Sequence, residues 1–109
     1  MNYHDQKTCV EACLSCASVC YHCASSCLKE EDPAKMARCI QLDMECAALC
    51  EVSARLMSLG SEQAAAVCRI CAALCRECAE ECEKHRNEHC AECARLCRKC
   101  AEECEYMAA

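Results

Sequence analysis

A chain of 109 residues with 19 cysteines, 19 alanines, one glycine and one proline has the length of a single domain, taken here as 1–109. Leu, Ile and Val make up only about 13% of it and Phe and Trp are absent, so the interior has to be built largely from sulfur. The net charge of −6 excludes the basic patch of a nucleic-acid partner, no apolar run nears the ~20 residues of a membrane span, and the opening stretch Met1 to Cys9 holds no apolar signal segment.

The expected setting is therefore cytoplasmic, where thiols stay reduced and cysteine patterns read as metal-binding or catalytic. The first predicted helix runs near 5–29 and carries Cys9, Cys13, Cys16, Cys20, Cys23 and Cys27, at gaps alternating four and three. Residues three and four apart share one helical face, so the six thiols form a stripe with the 3.5-residue period of a bundle seam. Leu14, Tyr21 and Leu28 form an outer apolar line, open to reading as a subunit contact or as packing within the chain. His22 lies beside the stripe and is expected at the surface.

Asp32-Pro33 reads as a cap followed by proline in the first helical position, which starts a second helix near 33–58. Its stripe is sparser. Cys39, Cys46 and Cys50 remain, and Asp43, Ser53 and Met57 stand where other copies of the pattern have cysteine. A buried carboxylate is costly unless partnered. Asp43 should thus bind metal, meet a cation, or mark a helix locally rotated outward.

Gly60-Ser61 reads as a helix stop and a new cap. A third helix near 62–85 follows with Cys68, Cys71, Cys75, Cys78 and Cys82, and the cations Lys84 and Arg86 flank His85 at its end. Arg69, Arg76, Glu77, Glu80, Glu81, Glu83 and Lys84 are expected on a solvated face. Asn87 can cap a fourth helix near 88–107, which bears Cys90, Cys93, Cys97, Cys100 and Cys104. The fifteen-residue pattern C-x-x-C-A-x-x-C-x-x-C-A-x-x-C occurs at Cys13–Cys27, Cys68–Cys82 and Cys90–Cys104. Its alanines allow close helix approach. Short connections make consecutive helices antiparallel, so the fold class is all-α: an up-down-up-down four-helix bundle with a cysteine-lined core.

Nineteen seam thiols are too many for filler, because Leu or Val would bury more apolar area at each site. An odd number of thiols, each stripe facing one way, does not suit a disulfide framework. Thiolates select soft metals. With four thiolates per Zn²⁺, 19 thiolates and five zinc ions leave roughly −9 in the interior, a costly burial. One Cu(I) for each lost thiol proton leaves the core neutral at any loading. Two metal–sulfur bonds of about 2.3 Å span about 4.5 Å, so linear S–Cu–S bridges fit between stripe neighbours and between helices. The expected load is about one Cu(I) per cysteine through bridging thiolates. A zinc- or cadmium-binding detoxification protein and a thiol redox protein are the competing readings. No nucleophile–base constellation points to an enzyme.

The repeated cysteine-stripe helices and the segment Lys84-His85-Arg86-Asn87-Glu88-His89-Cys90 resemble the cytosolic bacterial copper storage proteins along essentially the whole chain. That resemblance implies a Cu(I) store, a homotetramer, and a metal entrance at the end bearing His85 and His89. His85 follows Cys82 by three on the stripe and His89 adjoins Cys90, so both are further candidate ligands; the competing reading makes them part of a helix C-terminus and a polar turn. The same end gathers Cys27, Met36, Cys39, Cys82 and Cys90, and the opposite end Cys9, Met57, Cys104 and Met107, with His4 nearby. Met36, Met57 and Met107 occupy positions from which a thioether could reach the metal.

Overall fold

The four-and-three spacing folds into four helices, described for residues 3–109 in a computed structural model. They are α1 (Tyr3–Leu28), α2 (Ala37–Ser58), α3 (Ala64–Cys82) and α4 (Glu88–Ala108). Together they form a rod of 46 × 18 × 18 Å. Its length matches that of one helix of about 26 residues at ~1.5 Å per residue, plus turns at each end.

The sulfurs fix the packing. Cys13 lies 3.7 Å from Cys104 and Cys20 lies 3.8 Å from Cys93, so α1 and α4 run antiparallel. Cys39–Cys82, Cys46–Cys75 and Cys50–Cys71 do the same for α2 and α3, at 3.6, 3.4 and 3.7 Å. Residue numbers rise on one helix as they fall on its partner, so each contact defines a level across the rod. Outside, Arg98 donates to both Glu83 carboxylate oxygens at 2.8 and 2.7 Å, which ties α4 to the residue that follows α3. Such exposed pairs add little individually.

Helix ends depart from the expected bounds where local bonding competes with the helix. Pro33–Met36 forms a 3-10 turn, with the Lys35 N–H bonded to the Asp32 carbonyl at 3.1 Å, so α2 starts four residues later than expected. The third helix is shorter than expected at both ends. Neither Asp32 nor Asn87 makes a side-chain capping bond; the Ser61 hydroxyl does accept the Gln63 N–H at 3.1 Å. Gly60 stops α2 as expected. Its φ of +69° lets the Ser61 and Gly60 amides reach back to the Leu56 and Met57 carbonyls, satisfying acceptors that α2 leaves open.

The repeat alanines Ala17, Ala24, Ala72, Ala79, Ala94 and Ala101 are all buried, as close helix packing requires. Tyr21 donates to the Glu51 carboxylate at 2.9 Å, which favours packing within the chain at that position, whereas Leu14 and Leu28 remain exposed. No helix among the described residues is long and apolar enough to cross a membrane.

Candidate metal centre

Every cysteine points inward. Eighteen have no solvent exposure and Cys9 has 3%. All 19 are free thiols. Nearest sulfurs on facing helices stand 3.4–4.0 Å apart, as in Cys46–Cys75 and Cys23–Cys90. This is shorter than the ~4.5 Å span of a linear bridge. It matches the ~4.0 Å edge of a trigonal site with bonds of about 2.3 Å. Bent or three-coordinate bridges therefore fit the resting sulfurs, and linear ones require small side-chain rotations.

Groups of four sulfurs within 4.8 Å of one another recur along the rod: Cys13/Cys71/Cys100/Cys104, Cys16/Cys46/Cys50/Cys75, Cys16/Cys20/Cys46/Cys97, Cys20/Cys78/Cys93/Cys97 and Cys23/Cys27/Cys39/Cys90. Cys16, Cys20, Cys46 and Cys97 each belong to two of these groups. Sharing of this kind is what continuous bridging requires, and isolated four-thiolate sites do not need it. Burial raises Cys27 and pushes Cys90 up to about 11. These two thiols thus hold their protons at neutral pH, and a metal has to displace them.

Asp43 is fully buried among these thiols, so α2 does not rotate outward there. It accepts hydrogen bonds at Oδ1 from Cys78 at 3.2 Å and Cys93 at 3.3 Å, with longer contacts to Cys82 and Cys39. Burial pushes its carboxyl up to about 11. Its partners here are thiols.

The two histidines share the expected end. Just past α3 the backbone continues in a tight turn, with the His85 N–H bonded to the Cys82 carbonyl at 3.1 Å. The His85 Nε2 pairs with Glu81 at 3.0 Å, which leaves Nδ1 as the ring atom available to a metal. His89 Nε2 lies 3.7 Å from Glu30 with no hydrogen-bond partner. An open groove of about 470 Å³ leads from the surface past Glu30, Glu31, Asp32, Met36 and His85. Met36, Met57 and Met107 are buried, and His4 and His22 are exposed.

Glu81 corrects the expected solvated face. It is only 8% exposed, and besides His85 it meets Lys84 at 3.3 Å and Arg38 at 3.6 Å. The spacing of four residues between Glu81 and His85 is the signal that could have identified it, since side chains so spaced meet on a helix surface.

A bundle whose interior is a continuous column of free thiols belongs to the class of soft-metal-binding helical proteins. The comparisons narrow this: the chain belongs to the copper storage protein (Csp) family, whose profile matches residues 2–109. Cu(I)-bound copper storage protein BsCsp3 is 40% identical, with 96% of this chain and 99% of that chain covered at a TM-score of 0.93. Its apo counterpart, copper storage protein 3 from Bacillus subtilis, is also 40% identical, over 95% of this chain and 99% of that chain, at 0.91. A cytosolic copper storage protein from Streptomyces lividans, with five coppers, is 36% identical over 97% of this chain and 93% of that one, at 0.93. The cysteine-rich protein YhjQ of Bacillus subtilis (strain 168) is 41% identical over 84 residues, covering 77% of this chain and 78% of that protein.

Proposed function

We propose that this protein is a cytosolic, high-capacity store and buffer for Cu(I), not an enzyme, loading about one ion per cysteine through bridging thiolates. The observation that carries this reading is the series of buried sulfur quartets along the rod, three of which share cysteines with a neighbour. Copper is the cargo. The residues that hold it are Cys9, Cys13, Cys16, Cys20, Cys23, Cys27, Cys39, Cys46, Cys50, Cys68, Cys71, Cys75, Cys78, Cys82, Cys90, Cys93, Cys97, Cys100 and Cys104. His85 receives it at the groove, His89 is a further ligand at the same end, and the whole chain works as one storage domain. The bundle serves as a homotetramer, a state taken from the family resemblance.

The chemistry is exchange. A thiol proton leaves to solvent, Cu(I) takes its place between two or three sulfurs, and the buried charge does not change. His85, oriented by Glu81, offers Nδ1 to an incoming ion, and Cys82, one turn earlier in the chain, takes the ion inward. The sulfur quartets also match the ~3.8 Å edge of a tetrahedral zinc site, so geometry alone leaves zinc as a second reading. Charge separates the two, because each isolated four-thiolate zinc site stays at −2 in a dry interior.

Counting protons tests the exchange. The fully reduced protein, titrated with Cu(I) without buffer under argon, is expected to release about one proton per ion from the first equivalent to the last. A count well below one contradicts the exchange.

A further inference from the structure

The inward stripe of α2 reads Cys39, Asp43, Cys46, Cys50, Ser53 and Met57, and two of these six positions carry oxygen. Asp43 is satisfied by thiol donors. Ser53 is not: its residue has no solvent exposure, and its hydroxyl has no hydrogen-bond partner. Buried polar groups are rarely left this way. A helical serine commonly donates to the carbonyl four residues back, and this one does not. Alanine would fill the space with better helix propensity, and cysteine would complete the pattern.

The level at which Ser53 sits follows from the register. Cys46 meets Cys75 and Cys50 meets Cys71, so the next step along α2 and α3 sets Ser53 opposite Cys68. Cys9 of α1 and Cys104 of α4 belong to the same end and lie 3.8 Å apart. The register thus sets the Ser53 hydroxyl at the level of Cys9, Cys68 and Cys104, the end far from His85 and His89.

We infer that Ser53 is a hydrogen-bond donor reserved for the loaded state, and that it helps hold copper at the far end of the column. The inference rests on the storage reading. A thiol sulfur is a weak acceptor, whereas a thiolate that bridges copper has given its proton to solvent and carries negative charge, so a hydroxyl donates to it strongly. Ser53 keeps its own proton throughout and adds no ligand. No thiol is in hydrogen-bonding position to this hydroxyl in the resting protein, so it reaches its partner by a side-chain rotation when Cys9, Cys68 or Cys104 takes metal.

Two variants test this. S53A is expected to raise the unfolding midpoint of the apo protein by a few degrees, because an unsatisfied group is gone. In the loaded protein the one or two coppers held by this level should yield to a Cu(I) chelator at about tenfold lower chelator concentration, the loss expected for a hydrogen bond to a charged group. S53C should retain those ions as tightly as the parent and raise the capacity by about one. An S53A protein with a lower apo midpoint, or with chelator resistance equal to the parent's, overturns the inference. The parent's own titration separates the two readings: a parent that takes only a few coppers ends the storage reading, whereas a parent that fills normally beside an unaltered S53A ends this one alone.

Discussion

Copper loading is expected to move thermal unfolding upward by tens of degrees, the largest change any condition should produce in this protein. The apo core is thin in energetic terms, because eighteen fully buried cysteines and a set of small alanines replace the Leu, Ile and Phe of an ordinary bundle. Each site that binds the native state better than the unfolded chain adds about 2.7 kcal/mol when free metal is a hundredfold above its dissociation constant. Three such sites add about 8 kcal/mol, and each kcal/mol shifts the midpoint of a domain this size by roughly 4–8 °C, so a rise of 30 °C or more follows. Unfolded thiols also bind Cu(I), and only the native excess counts. That excess comes from quartets already assembled within 4.8 Å, which the unfolded chain must bring together against its conformational entropy. Anaerobic circular dichroism melts of the apo and saturated protein measure it. A shift below 5 °C would mean that the folded thiols are no better organised for metal than a random chain.

The second large effect is electrostatic and belongs to the apo protein. The carboxyl of Asp43 is raised from the ordinary carboxylate range up to about 11 by burial. In the unfolded chain it ionises near 4. Between those two values the native state holds a proton that the unfolded state has released. The stabilisation is therefore complete below about pH 4 and falls steadily as pH rises toward about 11. D43N removes the titration while keeping the shape and an oxygen acceptor for the thiols of Cys78 and Cys93. Between pH 5 and pH 8 the stability of D43N relative to the parent should rise by about 4 kcal/mol, at about 1.4 kcal/mol per pH unit. Urea midpoints of both reduced proteins at each pH read this directly. Parallel curves would show that Asp43 is already ionised in the native state.

Much of the fold was legible in the sequence because one physical rule governs it: thiols at gaps of three and four must share a helical face, and four such faces must meet. The antiparallel order followed from connections too short for anything else. The helix ends were less legible. Asp32 and Asn87 have the right chemistry for caps, but a capping bond depends on local dihedral angles and rotamers, which no spacing rule supplies. The 3-10 turn at Pro33–Met36 likewise reflects a choice between hydrogen-bond registers three and four residues apart.

In the site, the nineteen thiols could be assigned to the interior from periodicity alone, while their partners could not. Glu81 shows why. It precedes the inward Cys82 by one residue, at the border between core and surface, and only the approach of Arg38 and the turn carrying His85 closes solvent away from it. Asp43 was visible as an anomaly, but its environment depended on α3 and α4 presenting Cys78 and Cys93 at the same level. The resting sulfurs stand closer than the expected linear bridges need for a similar reason: helix geometry sets the distances between Cβ atoms, and side-chain rotamers set those between sulfurs.

The storage account stands most directly on capacity. The measurement is an anaerobic Cu(I) titration of the fully reduced protein against a competing chelator, with thiols counted in parallel. Saturation near 19 coppers per chain, one for each cysteine and resistant to the chelator, is the predicted result. Saturation at five ions or fewer would contradict it, since most of the buried thiols would then serve something other than copper.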